Sequence, residues 1–144
     1  MTQNLWMIGW CSHVVLIALY GVGVVSYGSL RHEVQSLPLW VPIVAGFNRR
    51  DFARWCALPC FIFGLLTMIL IWLFLLGWAH VISGYFSAIE IAMTLVIGIA
   101  SAIGLAQGFW RLRWNWRRSA LCVLFAILQL GCFRISVLPH MAHR

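Results

Sequence analysis

The sequence predicts an all-α membrane protein: four transmembrane helices in an up-down-up-down bundle, with a proline-containing interfacial segment between helices 1 and 2. Three observations carry this. Of 144 residues, 63% are hydrophobic and 9% charged, with mean hydropathy +0.94, which leaves too little polar surface for a soluble domain. Four apolar runs, at about 5–30, 52–79, 85–110 and 119–138, each supply the roughly 20 residues needed to cross ~30 Å of hydrocarbon. All ten basic side chains are arginines, and most of them gather in two connections between those runs. The whole chain, 1–144, reads as one integral membrane domain.

The first run has no basic residue ahead of it and no small-residue cleavage pattern behind it, so it reads as a retained helix and not a signal peptide. His13 falls within it, ~12 Å below the outer boundary at 1.5 Å per residue. The segment His32 to Asp51 carries Pro38 and Pro42, and is too short and too interrupted for a full crossing. Arg31 stands at one end of it and Arg49, Arg50 and Arg54 at the other, which suits a flap lying along the headgroup layer.

In the second run Pro59 sits one to two turns inside and is tolerable as a local kink. The third run, Tyr85 to Trp110, carries a single charge, Glu90. On another face of it Ala100, Gly104 and Gly108 form a small-xxx-small ladder that lets a neighbouring backbone come close, either within the chain or in a second copy. It leads into Arg111, Arg113, Trp114, Trp116, Arg117 and Arg118, an arginine and tryptophan cluster expected at a cytoplasmic interface against anionic headgroups. The fourth run carries Gln129, Cys132 and Arg134 in its outer half, and Pro139 follows it.

Orientation follows from counting arginines. The connections hold Arg31, Arg49, Arg50 and Arg54 on one hand and Arg111, Arg113, Arg117 and Arg118 on the other, with only Arg134 and Arg144 opposite. The expected location is a bacterial inner membrane with both termini on the periplasmic side. A net charge of +7 concentrated this way argues for lipid contact and against nucleic acid. Five cysteines, at 11, 56, 60, 122 and 132, have neither C-x-x-C nor Cys/His metal spacing, so no metal is expected, and the sequence leaves any cofactor open.

Candidate chemistry collects in the outer leaflet. Glu90 is expected to pair with Arg134, with His13 and Gln129 as hydrogen-bonding neighbours, because polar groups in hydrocarbon must satisfy one another. In size and number of apolar runs the chain resembles the small multidrug transporters, which use one membrane glutamate. Their acid lies in the first helix and this one in the third, so no residue carries over. Haem is disfavoured because His13 and His80 differ in depth. Three functions stay open. The first is a binding, assembly or regulatory subunit for another membrane protein or a second copy of this chain. The second is a transporter using Glu90 as a proton- or cation-coupled site, and the third is an enzyme acting on lipid or quinone. The thin polar lining of the inner leaflet favours the first.

Overall fold

The computed structural model describes residues 3–26, 29–78, 86–109 and 115–138, and these are all-helical, with no strand among them. The helices are α1 (Gln3–Val25), α2 (Ser29–Ser36), α3 (Trp40–Phe47), α4 (Ala53–Leu75), α5 (Ala88–Phe109) and α6 (Trp116–Ser136). A 3-10 turn, Leu37–Leu39, links α2 to α3. Four of the helices, α1, α4, α5 and α6, are long and apolar enough to cross a membrane.

The proline segment departs from expectation. Pro38 lacks an N–H and its ring would clash with the carbonyl four residues back, so the helix tightens into the 3-10 turn there and resumes as α3. The segment does not lie across the end of the bundle. It runs back along α1: a Cβ built on Gly46 would stand 2.7 Å from both N and Cα of Gly9 and 3.0 Å from the Leu5 carbonyl oxygen. The missing side chain at Gly46 is what permits so close an approach of the two backbones. Ser29 to Phe47 is ~30 Å long at ~1.5 Å per α residue and ~2 Å per 3-10 residue, enough to match the length of a crossing.

The returning leg changes the direction of α1. Phe61 fills the space over Gly104, Ser101 stands over Gly64 and Met68 over Gly98, so α4 and α5 are antiparallel. Met93 packs on Gly21, and Ala18 and Val15 share a core with Ile97 and Ala100, so α1 and α5 are antiparallel too. Helices α1 and α4 are therefore parallel, where strict up-down alternation of four crossings would oppose them. Leu5 and Ser136 lie at opposite ends of the bundle. The expectation of both termini on one side rests on strict alternation of four crossings, and among the described residues the extra leg breaks that alternation. One end, the arginine end, carries Arg49, Arg50, Arg54, Arg117 and Arg118; the other, the glutamate end, carries Glu90 with Arg31, His32 and Arg134.

Burial is uneven. Every residue of α4 from Ala53 to Phe61 is buried, and with Ile8, Leu39 and Ile43 this stretch fills the arginine half of the bundle. Helix α6 is peripheral: 17% of its most apolar window is buried, against 44% for α1. Its apolar outer face suits lipid.

Two tests address this packing. Gly46→Ala should lower thermal stability in detergent by about 1–3 kcal/mol, because the new methyl meets backbone that cannot yield. Gly131→Ala, with nothing near its Cβ, should be neutral or stabilising by up to ~1 kcal/mol. Equal effects would contradict the Gly9–Gly46 contact. Separately, single cysteines at Asn4, Asn48 and Asn115 in a cysteine-free background should label from the same side of sealed vesicles, and one at Leu138 from the other. Opposite accessibility of Asn4 and Asn48 would refute the returning leg.

Candidate functional site

The polar groups of the glutamate half are organised by α2, α5 and α6. Glu90 serves its own helix. Ser87 precedes α5 and Glu90 is its third residue, the spacing of a capping box. The Ser87 backbone N–H donates to Glu90 Oε2 at 2.6 Å, and the Glu90 N–H donates to Ser87 Oγ at 3.2 Å. The carboxylate also sits at the positive end of the helix dipole. Nine per cent exposed, it lies close enough to His32 for its charge to act there.

Arg134 does not join it. Its side chain is exposed on α6, and α5 and α6 share no substantial interface because α4 packs between them. His13 is separated from Glu90 as well, since antiparallel α1 carries it toward the arginine half. There it lies edge-on to Trp10 and Phe47, at 6.0 and 6.4 Å between centroids. Of the four residues expected to cluster, His13 leaves the glutamate half and Arg134 stays there but faces outward, while Glu90 and Gln129 are buried in it with His32, Gln35 and Ser136. Gly104 and Ala100 face α4 and the α1 core respectively, so the close neighbours of the small-residue ladder belong to this chain. Gly108 is buried with nothing near its Cβ. Arg111, Arg113 and Trp114 lie outside the described residues, while Trp116 and Arg117 are exposed and Arg118 half-buried at the start of α6.

Between α1, α2, α4, α5 and α6 lies a cavity of about 90 Å³. Its walls are mainly apolar: Val15, Leu19, Val22, Leu39, Phe63 and Ile97. The polar lining is His32, Gln35, Thr67, Thr94 and Gln129. Both threonine hydroxyls are spent within their helices, Thr67 donating to the Phe63 carbonyl at 2.9 Å and Thr94 to that of Ile91 at 2.7 Å. A relay crosses from α6 to α2 and back: Gln129 Nε2 donates to the Gln35 carbonyl at 3.2 Å, Gln35 Nε2 to Ser136 Oγ at 2.8 Å, and Ser136 Oγ to the Phe133 carbonyl at 2.7 Å. The facing carbonyl requires the nitrogen of the Gln129 amide, which fixes its orientation. Gln129 Oε1 is then left buried with no hydrogen-bond partner, on a side chain 4% exposed.

The arrangement leaves one acceptor, Gln129 Oε1, open to a hydrogen-bond donor. A slender apolar group bearing one hydroxyl or amide N–H would satisfy Gln129 and the walls together. No group of three or more metal-ligating side chains occurs among the described residues. The sequence signal for the capping box, Ser-x-x-Glu at 87–90, was available; the relay was not, because Gln35 read as part of an interfacial flap. Against protein-family models, curated proteins and solved structures, nothing matches this chain.

The roles of Glu90 and Arg134 separate by mutation. Ser87→Ala and Glu90→Leu should each cost about 1 kcal/mol and be strongly non-additive with one another, since either breaks the same cap. Glu90→Gln should cost less, because an amide oxygen still accepts from Ser87. Arg134→Gln should combine additively with Glu90→Leu in thermal unfolding; rescue of one by the other would restore the ion pair.

Proposed function

We propose that this is a small multi-pass membrane subunit that binds and stabilises another membrane component, taking a slender apolar group with one hydrogen-bond donor into the cavity beside Gln129. The observation that carries this reading is the buried, unpartnered Gln129 Oε1 on the cavity wall. Burial of an acceptor without a donor costs about 1–3 kcal/mol, which a bound donor would recover.

Two features support binding over transport. Among the described residues the cavity lining stops short of the arginine end, where the stretch Ala53 to Phe61 with Ile8 and Ile43 is buried. The carboxylate that a coupled transporter would titrate is engaged at the α5 cap. Catalysis on lipid or quinone has less support, since the threonine hydroxyls on the cavity wall donate to their own helices and no carboxylate lines it among the described residues.

The positive-inside bias makes the arginine end cytoplasmic: five arginines of the described residues stand there, against Arg31 and Arg134 at the other end. In this orientation, in the inner membrane of a bacterium, the cavity belongs to the outer leaflet, the start of α1 is cytoplasmic and the end of α6 periplasmic. Its occupant then comes from within the membrane or from its outer face.

The test is affinity capture of the full chain from detergent-solubilised membranes with detergent-only controls, followed by mass analysis of lipids and proteins. Val22→Phe, which fills the cavity, should fold with unchanged or higher thermal stability and lose the captured component. Capture that is identical for Val22→Phe and the parent would overturn the cavity as the binding site.

A further inference from the structure

We propose that the arginine end holds an anionic phospholipid, with its headgroup phosphate on Arg54 and an acyl chain along the groove that starts at Asn48 and Arg50. This site is separate from the cavity and does not rest on its assignment.

Arg54 is 7% exposed, and its Nε and Nη2 are both buried without a hydrogen-bond partner. A guanidinium stays charged at any accessible pH, so burial cannot be relieved by losing a proton. Arg54 is the second residue of α4, and side chains tilt toward the start of their helix, which points this one back at the α4 N-terminus. A cation there opposes the helix dipole. Nothing else in the first turn compensates: α4 has no acidic residue there and no side-chain cap.

The surroundings deepen the deficit of negative charge. Helix α6 runs parallel to α4 and packs on it, so its N-terminus opens at the same end, also with no acidic first-turn residue and no side-chain cap. Arg49, Arg50 and Arg117 are exposed nearby, and Asp51 is the one acidic side chain at this end among the described residues. Two helix N-termini and this many guanidinium groups make a site for an oxyanion. A phosphate suits it best, because it accepts bidentate hydrogen bonds from arginine and backbone N–H groups together.

The groove selects a lipid over a free phosphate. An open groove of about 440 Å³ runs from Asn48 and Arg50 along Trp40, Val41 and Val44, polar at one end and apolar beyond. That sequence of surfaces matches a headgroup followed by a hydrocarbon chain.

The experiment uses the purified full chain, delipidated in a neutral detergent. Thermal stability is measured with added phosphatidylglycerol, phosphatidylcholine or inorganic phosphate, and retained lipid is counted by native mass spectrometry. Phosphatidylglycerol should stabilise the parent, and phosphatidylcholine and inorganic phosphate should do so far less. Arg54→Gln should weaken the phosphatidylglycerol response about tenfold, the loss of one charge-assisted bidentate contact, while raising the stability of the lipid-free protein. Arg54→Lys keeps the charge without the fork and should also weaken the response, whereas Arg31→Gln, at the opposite end, should leave it unchanged. A phosphatidylglycerol response that survives both Arg54 variants overturns the proposal. So does an equal response to phosphatidylcholine, and an equal response to inorganic phosphate overturns the lipid assignment in favour of a free phosphate.

Discussion

The contact between Gly9 and Gly46 is the interaction on which the rest of the bundle depends. Helices α1 and α3 approach so closely there that Gly46 has no room for a Cβ, and a Cβ on Gly9 would stand 3.1 Å from the Phe47 nitrogen. That approach holds a proline-interrupted segment against α1 over its length, and the polar face of α2 is thereby brought level with α5 and the end of α6. Without it Gln35 would not meet Gln129 and Ser136, and His32 would not lie within reach of the Glu90 charge. In a medium that offers backbone groups no water, a broken segment is acceptable only where it is buried in protein. The buried face of Pro38, Leu39, Pro42, Ile43, Ala45 and Gly46 meets that condition.

What was legible in the sequence was whatever depends on length and mean polarity. Four long helices follow from runs of apolar residues, because the bilayer thickness sets a length that composition alone can satisfy. The returning leg was hidden by the same criterion. Its α2 half carries Arg31, His32, Glu33 and Gln35, and its α3 half is eight residues long, so neither resembles a crossing. Missing one leg inverts the direction of α1, and every depth assigned by counting from the start of α1 inverts with it. His13 moves from the glutamate half to a place beside Trp10 and Phe47 for that reason alone.

Glu90 failed differently. A buried carboxylate in an apolar helix asks for a partner, and a distant arginine on another helix was the conspicuous candidate. The partner is the backbone three residues away. Local satisfaction has the advantage that it forms with the helix and needs no particular helix rotation or neighbour. The general point concerns acids near the start of membrane helices: the cap should be tested before an ion pair is drawn across the bundle. Arg54 shows the reverse, since a guanidinium near a helix N-terminus has no such local remedy. The backbone groups around it are donors, as it is.

The cavity beside Gln129 carries two costs that a filled apolar core would not. An empty volume of about 90 Å³ costs on the order of 2 kcal/mol at the rate observed for core cavities, and an unpartnered buried amide oxygen costs a comparable amount. A methionine or leucine at position 129 would remove the orphan acceptor and fill part of the space at once. The relay through Gln35 does not answer this, because Gln129 reaches it through its nitrogen and leaves the oxygen over. Nor does register between α6 and α2 require it, since Gln35 already fixes that register through Ser136. The acceptor is therefore the part of the residue that structure does not use, and a donor entering the cavity is what would use it.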